Sequence, residues 1–423
     1  MKPVRNSKTA VCCNKFVGFL FRRSVTYPVT RILPVAWIVA VGFSCAPKHP
    51  DFDSASFETW FTAASHEVPL NIRSASSAVI DSIVHTIRAS SSAGVSVVTL
   101  NDTAQRPYVI GFRTPVNMRR DTLYPCVIYL HGGVGTLRND KGDSAWRMLD
   151  MINDSMELFL VSPSADRVAP WWSAAGLSRI LQTLRYMTLH YPVDPDRVFL
   201  AGVSDGATGC WAAANVIGGP FAGFVAVSGF GGMLPNLGMQ LFAENLMQRP
   251  IYNVNAGRDR LYPIDMVEKF LDAMEREGVG VMRRIYPEEE HGFDYRMREA
   301  GTLCRILREW SRRGPDAIRG RGMSGYPVDI SKCIMLKPVP GAQQFAVNGF
   351  CSRDTFFLRT SGIDRFLMYF DQDDPCARPH FFVVNGAGAR RYRPVAATRE
   401  IELLLMKQRC LPGSTGVTYY KIH

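Results

Sequence analysis

The chain has 423 residues, of which 47% are hydrophobic and 21% charged, and its formal net charge is +11. Its length predicts two or three domains, and its composition is that of a globular protein that can build cores of normal size. Residues 1–44 hold seven Lys or Arg and no Asp or Glu, which leaves +4 of the net charge for the rest of the chain. Because no RNA- or DNA-binding motif accompanies this weak excess, we predict no nucleic-acid partner.

The first 45 residues have the pattern of an export signal. A basic stretch precedes the apolar run 32–43, which is too short for a bilayer-spanning helix of ~20 residues but suits a secretory signal. Ser44 directly before Cys45 resembles the lipobox of bacterial lipoproteins, in which the cysteine is lipidated and becomes the mature N-terminus. The resemblance implies a lipid anchor at Cys45 and a location in the bacterial cell envelope, either periplasm or outer surface. A plain secretory signal, an uncleaved membrane anchor and a later translation start near Val29 stay open as alternatives.

After this leader, residues 46–94 form a polar segment in which apolar side chains at helical spacing predict a helix near 76–89. From 95 to 312, short apolar runs alternate with helical patterns. This alternation predicts βαβ units and a mostly parallel sheet of about eight strands, covered by helices on both faces, with the first two strands antiparallel. The predicted strands are 95–100, 108–112, 126–130, 158–162, 198–201, 224–227, 251–255 and 281–286. The predicted helices are 143–153, 175–190, 205–217, 264–278 and 294–312.

The C-terminal quarter of the chain has a different pattern. Residues 313–327 belong to a stretch dense in Gly, Pro and Arg, which predicts a linker. Short apolar runs within 328–423 predict a small all-β accessory domain of the sandwich type. These runs are 356–360, 366–370, 381–384 and 400–406.

Ten cysteines are present, three of them within residues 1–45. Cys126 lies in an apolar strand and Cys210 in a helix, and both are expected to be buried as small hydrophobic side chains. No Cys/His cluster has the spacing of a metal site, so we predict neither a metal ion nor another cofactor. The pairing of the C-terminal cysteines cannot be read from the sequence. They are Cys333, Cys351, Cys376 and Cys410.

The strongest catalytic signal is Gly202-Val203-Ser204-Asp205-Gly206, between a predicted strand and a predicted helix. A nucleophile at a sharp strand-to-helix turn has a strained backbone, so the residues two before and two after it must be small. The hydroxyl then projects above the sheet, and the following helix directs the positive end of its dipole at the site. We predict that Ser204 is a catalytic nucleophile.

A second motif, His131-Gly-Gly-Val-Gly, directly follows the third predicted strand. Its glycines let backbone N–H groups turn toward a developing alkoxide. We predict an oxyanion hole made by one N–H from Gly133 or Val134 and one from Asp205. His131 itself is expected to fix this loop rather than to act as a base.

Two further loops, which follow Ser204 in the chain, provide an acid and then a base. Asp259 follows the strand 251–255 in a glycine-containing loop, where a triad acid belongs at the carboxyl edge of a sheet. Asp265 is the nearby alternative, but an acid in the first turn of a helix simply complements the dipole. His291 follows the last strand of the sheet, and we predict that it is the general base.

The pair Trp171-Trp172 precedes a long predicted helix. These side chains either line a substrate pocket that favours aromatic or acyl groups, or pack against the core, and the sequence favours neither interpretation.

With these elements in order, residues 95–312 resemble the α/β-hydrolase superfamily. The nearest branch is that of esterases related to dienelactone hydrolase, phospholipase/carboxylesterase and polyhydroxybutyrate depolymerase. The resemblance implies an α/β-hydrolase fold, a triad of Ser204, Asp259 and His291, and an oxyanion hole. The motif departs from the family pattern at Val134, where a third glycine is usual, and at Asp205.

The resulting prediction is a serine hydrolase that cleaves carboxylic esters, small or polymeric, through an acyl-enzyme and without a cofactor. A serine peptidase of the prolyl-oligopeptidase type is the second interpretation, although the chain has no partner domain of β-propeller size. A non-catalytic lipoprotein that binds ligands is the third. Turnover of a small ester, compared with an aminoacyl amide, separates the three.

Overall fold

The computed structural model describes ten segments of the chain, and the statements below concern these alone. They are residues 53–62, 77–152, 155–312, 317–323, 334–339, 341–352, 355–369, 381–385, 390–391 and 417–421. The predictions for residues 1–45, including lipidation of Cys45, lie outside the described residues, as does the pairing of the C-terminal cysteines. Within the described segments, no helix has the length and apolar character needed to cross a bilayer.

Seven helices precede or alternate with eight strands that form the main sheet. The helices are α1 (Ser54–Thr62), α2 (Ser77–Ser90), α3 (Ala174–His190), α4 (Asp205–Ile217), α5 (Ala243–Leu246), α6 (Ile264–Arg276) and α7 (Arg296–Glu309). The strands are β1 (Val95–Asn101), β2 (Pro107–Arg113), β3 (Tyr124–Leu130), β4 (Phe159–Pro163), β5 (Val193–Val203), β6 (Gly223–Val227), β7 (Ile251–Ala256) and β8 (Val281–Tyr286).

The eight strands lie in the order β1-β2-β4-β3-β5-β6-β7-β8. The prediction of a mostly parallel sheet with an antiparallel start is confirmed, since β1 pairs antiparallel with β2 and β2 antiparallel with β4. All remaining neighbours are parallel. The carboxyl ends of β3 to β8 therefore meet along one edge, where the loops with the predicted site residues emerge.

Strand β3 shows how the sheet is buried on both faces. Cys126, Ile128 and Leu130 contribute to one apolar cluster, whereas Val127 and Tyr129 contribute to another on the opposite face. This alternation follows from the two-residue period of a strand. Cys126 and Cys210 are buried free thiols, as predicted, and the pKa of the Cys210 thiol is raised by burial.

Two local predictions differ from the structure. Residues 141–152 form the 3₁₀ segments Lys141–Asp143 and Ala145–Ile152 instead of an α-helix. Ser162 explains part of this difference, because its hydroxyl accepts from the Trp146 N–H and donates to the Gly142 carbonyl, which ties the segment to β4. The polar segment before β1 also contains α1, which is anchored by buried Phe57, Trp60 and Phe61.

The C-terminal region is all-β, as predicted, and contains two sheets. Its strands are β9 (Ala317–Met323), β10 (Ile334–Pro338), β11 (Gln344–Ser352), β12 (Thr355–Ser361), β13 (Ile363–Tyr369), β14 (Phe381–Val384), β15 (Arg390–Arg391) and β16 (Val417–Lys421). One sheet has the order β15-β14-β12-β11-β9, and the other has the order β10-β13-β16.

The prediction of a linker over 313–327 is wrong for residues 317–323, which form β9. This strand pairs antiparallel with β11 over its whole length. Gly322 serves packing, because a Cβ on it would lie 2.0 Å from the Phe345 ring. A glycine in a strand interior often marks such a close approach, but in composition it resembles a linker.

Candidate active site

Ser204 lies at the turn between β5 and α4, with φ 56° and ψ −120°. A non-glycine residue rarely adopts this backbone, which costs of order 1–3 kcal/mol and persists only where neighbouring contacts hold it. The Ser204 N–H donates to the Val227 carbonyl at 2.9 Å, and the Ser204 carbonyl accepts from the Ala207 N–H at 2.9 Å. The elbow expected from the sequence is thus present.

The two flanking glycines are required by backbone contacts. A Cβ on Gly202 would lie 2.4 Å from the Gly206 carbonyl oxygen, and one on Gly206 would lie 2.0 Å from the Leu130 carbonyl oxygen. Such distances are far below van der Waals contact, so neither position accepts a side chain without movement of the backbone.

The structure brings together the three residues predicted as a triad. His291 Nε2 lies 3.0 Å from Ser204 Oγ, and His291 Nδ1 lies 2.8 Å from Asp259 Oδ2. The Asp259 side chain is fully buried, and its other oxygen accepts from the N–H groups of Leu261 and Tyr262 at 2.8 Å each. These bonds fix the carboxylate, which in turn orients the imidazole.

Asp265 lies in the first turn of α6, at the position expected of an acid that complements the helix dipole. Of the two acids considered in the sequence, Asp259 is the one that contacts His291.

The loops that carry Asp259 and His291 are joined through their backbones. The Gly257 N–H donates to the Tyr286 carbonyl at 2.8 Å, and the Arg258 N–H donates to the Glu289 carbonyl at 2.9 Å. A Cβ on Gly257 would lie 2.4 Å from the Pro287 carbonyl oxygen, so only glycine allows this crossing. The acid and the base are therefore held as one unit.

The oxyanion loop distinguishes the two N–H groups considered in the sequence, those of Gly133 and Val134. The Val134 N–H donates to the Asp205 carboxylate at 2.8 Å and is therefore engaged within the protein. On the other side of the same peptide group, Lys141 Nζ donates to the Gly133 carbonyl. Gly133 and Asp205 keep backbone N–H groups without a protein acceptor among the described residues. Of the three predicted donors, these two are available to an oxyanion.

Gly132 is the part of this loop nearest to the nucleophile. A Cβ placed on it would lie 3.0 Å from Ser204 Cβ and 3.6 Å from Ser204 Oγ. Gly133 has φ 67°, a conformation that L side chains rarely adopt. The loop thus reaches the nucleophile at close range because it lacks side chains at these positions.

His131 holds the loop from behind, in the structural role expected for it. Its Nε2 accepts from the Ala165 N–H at 3.0 Å, so the proton resides on Nδ1, which lies 2.9 Å from the Gly132 carbonyl oxygen. Burial lowers the pKa of His131 to about 4, which keeps the ring neutral.

The two tryptophans, each considered as a pocket residue or a core residue, have different environments. Trp171 is fully buried, its Nε1 donates to the His131 carbonyl at 2.9 Å, and its side chain fills the space that a Cβ on Gly209 would take. It is therefore a core residue and does not line an open pocket. Trp172 is half-buried, packs against the same core, and keeps an exposed part.

A buried ionic cluster supports the segment 165–168, which contacts the oxyanion loop. Arg179 Nη1 donates to Asp166 at 2.9 Å and Arg179 Nη2 donates to Asp102 at 3.1 Å, with all three side chains at most 8% exposed. The Arg167 N–H donates to the Thr136 carbonyl at 2.7 Å, which joins this segment to the loop after β3.

Two contacts of the site were not foreseen. The capture of the Val134 N–H by the Asp205 carboxylate has a sequence signal, an acid directly after the nucleophile, but its partner is visible only in three dimensions. Tyr262 lies with its ring 5.5 Å from the His291 ring, and burial raises the pKa of its hydroxyl. Its position three residues after Asp259 is the only signal for it in the sequence.

Residues 166–312 match the model of the dienelactone hydrolase family. The mostly parallel eight-stranded sheet flanked by helices is the fold of the α/β-hydrolases. The matched segment spans α3 to α7 and contains all three residues of the predicted triad, and it supports a hydrolase. A search of curated proteins gave no match.

Solved structures with similarity to this chain include several hydrolases. A thermostable esterase is 20% identical with a TM-score of 0.41, and the match covers 52% of this chain and 63% of that one. Fluorophosphonate-binding serine hydrolase F of Staphylococcus aureus is 15% identical with a TM-score of 0.40, over 51% of this chain and 98% of that one. Acylaminoacyl peptidase of Pyrococcus horikoshii is 12% identical with a TM-score of 0.42, over 55% and 44%. The chain thus spans less than two thirds of the esterase and of the peptidase, and these similarities do not indicate a substrate.

Proposed function

We propose that this α/β-hydrolase cleaves carboxylic esters through an acyl-enzyme on Ser204. The observation that carries the proposal is the continuous chain of hydrogen bonds from buried Asp259 through His291 to Ser204, a residue held in a strained backbone. A nucleophile, a base and a group that orients the base are the parts this chemistry requires. The match to the dienelactone hydrolase family supports the same reaction class.

The proposed reaction begins when His291 Nε2 takes the Ser204 proton while Oγ attacks the ester carbonyl. Asp259 holds the Nδ1 proton of His291 in place and stabilises the imidazolium that forms. The tetrahedral intermediate collapses when His291 gives the proton to the leaving alcohol. Water then attacks the acyl-enzyme by the same route and regenerates the serine.

The oxyanion that develops in both steps needs preorganised donors. The backbone N–H groups of Gly133 and Asp205 are the available pair, and the second stands at the N-terminus of α4, where the helix dipole favours negative charge. The peptide group between Gly133 and Val134 is held at both of its polar atoms. Its N–H donates to the Asp205 carboxylate, and its carbonyl accepts from Lys141. These two bonds hold the peptide group that directly follows the Gly133 Cα, which limits the conformations open to Gly133.

The first experiment is labelling of the full chain with a fluorophosphonate, read by intact-protein mass spectrometry. Wild type is expected to gain one adduct, and Ser204→Ala none, because only an activated serine reacts. Ser228→Ala is the matched control, since Ser228 is also a non-glycine residue with positive φ and follows strand β6. A folded wild type that stays unlabelled would falsify the proposal.

Ester specificity is tested by comparing a chromogenic acetyl ester with an aminoacyl amide of the same chromophore. We expect turnover of the ester only. Faster turnover of the amide would instead assign the chain to the serine peptidases.

We further propose, from the lipobox-like Ser44-Cys45 alone, that the hydrolase is exported and lipid-anchored in the bacterial cell envelope. Wild type should incorporate a radiolabelled fatty acid and partition with membranes, and Cys45→Ala should do neither. Membrane partition of Cys45→Ala would indicate an uncleaved anchor, and release of unlabelled wild type would indicate plain secretion.

A further inference from the structure

We propose that the outer face of the five-stranded C-terminal sheet is a second binding site, and that its ligand is a carboxylate-bearing polysaccharide. The face borders a cleft of about 270 Å³ between the sheet and helix α5. Arg319 and Arg321 from β9, Arg359 from β12 and Glu244 from α5 line it. The site is separate from the triad and does not depend on the proposed ester chemistry.

The strand register places the polar side chains in two rows across three strands. Arg319 lies opposite Asn348, and Asn348 lies opposite Arg359, which gives a row of two arginines with an amide between them. Because neighbouring strands are about 4.8 Å apart, the two arginine backbones are separated by roughly 10 Å. The next row on this face contains Arg321, Ala346 and Ser361 in the same strand order.

Charge on this face is only partly neutralised. Arg321 pairs with Glu244 at 3.1 Å. In contrast, neither Arg319 nor Arg359 contacts a carboxylate in the described segments, and Arg319 contacts only the Met247 sulfur with its guanidinium, at 3.9 Å. Two exposed guanidinium groups therefore face solvent across an amide. Guanidinium groups bind carboxylates with two parallel hydrogen bonds, which is the chemistry that two unpaired arginines offer a ligand.

An apolar platform continues the same face. Phe350 lies two residues beyond Asn348 on β11 and is paired in register with Phe357. The two rings are stacked at 4.9 Å between centroids and 16° between planes, yet Phe350 remains 50% exposed. An exposed aromatic ring offers a flat apolar surface to a partner that also has polar edges.

These groups match a polyuronate better than other polyanions. A uronate unit supplies a carboxylate for arginine, hydroxyl groups for Asn348 and Ser361, and an apolar ring face for Phe350. Nucleic acid also combines negative charge with flat rings, but its dense phosphate charge is bound by strongly basic surfaces. The chain after residue 44 carries a net charge of only +4.

The test measures binding of the full chain to polygalacturonate by isothermal titration calorimetry, with dextran as the neutral polymer. We expect binding to polygalacturonate only, weakened by added salt because the charges are exposed. Arg319→Gln and Arg359→Gln should each lower the affinity by about fivefold, and the double variant by more. The matched control is Arg276→Gln with Arg305→Gln, which removes the same charge from exposed positions on α6 and α7. Turnover of a small ester should stay at the wild-type rate in all variants.

Three outcomes would overturn the proposal. Equal binding of dextran would show that carboxylates are not recognised. Equal losses in the double variant and its control would show that only net charge matters. Tighter binding of a single-stranded oligonucleotide than of polygalacturonate at the same salt concentration would assign the face to nucleic acid.

Discussion

Two groups of buried carboxylates in this protein use similar side chains for different ends. Asp102 and Asp166 pair with Arg179, whose charge is permanent and whose side chain is 1% exposed, and Asp102 also pairs with Arg106, which is 33% exposed. Asp259 pairs with His291, whose charge depends on protonation and whose side chain is 22% exposed. The contacts of Asp259 continue through His291 to the Ser204 hydroxyl at the sheet edge, whereas Asp102 and Asp166 pair with arginines, which cannot act as a base. The difference indicates that burial alone does not identify a catalytic acid. The residue with which the acid pairs determines whether it can support catalysis.

The largest expected effect separates the two groups by activity. Asp259→Asn should lower kcat for an ester by about 10⁴-fold, because the amide no longer selects the His291 tautomer that can accept the serine proton. Asp265→Asn, which removes an acid six residues away on α6, should leave kcat within about twofold. Steady-state kinetics on both variants decide between the acids, and a larger loss in Asp265→Asn would reverse the assignment.

The second prediction concerns the stability that the Arg179 cluster provides. Arg179→Met should lower the free energy of unfolding by about 3–5 kcal/mol, because Asp166 would be left buried without its cation and Asp102 would keep only its pair with Arg106. Arg305→Met removes an exposed arginine that pairs with Glu309 and should cost less than about 1 kcal/mol.

Urea denaturation measures both variants. The cluster would have no special role in stability if the two substitutions cost the same. Labelling by a fluorophosphonate should persist in both while they remain folded.

A third prediction concerns His131, which is buried like Arg179 but neutral. Burial lowers its pKa to about 4 in the folded protein, whereas an unfolded histidine titrates near ~6.5. Its contribution is fully present above pH ~6.5 and is lost as the pH falls toward 4, by about 3 kcal/mol in total. The free energy of unfolding of wild type should therefore fall over this range by about 3 kcal/mol more than that of His131→Gln. Parallel pH profiles of the two proteins would contradict this role.

The smallest expected effect tests whether the acid beside the nucleophile positions the oxyanion loop. Asp205→Ala should lower kcat by about 10- to 100-fold with little change in KM, because the Val134 N–H loses its acceptor and the loop is free to shift. Asp205→Asn keeps an acceptor oxygen and should lose less than about threefold. If both variants lose the same factor, the negative charge of Asp205 matters rather than the hydrogen bond.

Features that depend on local spacing could be predicted from the sequence. The glycines around Ser204 and the order of strand and helix are properties of about 20 consecutive residues, so the sheet and the position of Ser204 followed from pattern alone. The preference for Asp259 over Asp265 also used a local argument, the difference between a loop and a first helical turn.

Features that depend on tertiary contacts could not be predicted in the same way. The sequence motif leaves the Val134 N–H as a possible oxyanion donor, because it does not show that the Asp205 carboxylate accepts a hydrogen bond from it. The sequence around Trp171 is equally compatible with a pocket and a core, because the contact of this side chain with Gly209 forms only in the folded protein. The pattern of strand β9 does not predict a strand, because alternating glycine and arginine have the composition of a linker, although Gly322 accommodates Phe345.

The crossing of the Asp259 and His291 loops limits where related sequences can differ in length. Because backbone bonds join Gly257 to Tyr286 and Arg258 to Glu289, neither loop can gain or lose residues without separating the acid from the base. Inserted sequence that reshapes the substrate cleft must therefore enter elsewhere along the carboxyl edge. The stretch after β6, with its short 3₁₀ turns at Gly231–Met233 and Pro235–Leu237, is free of this constraint, and we expect relatives of different specificity to vary in length there.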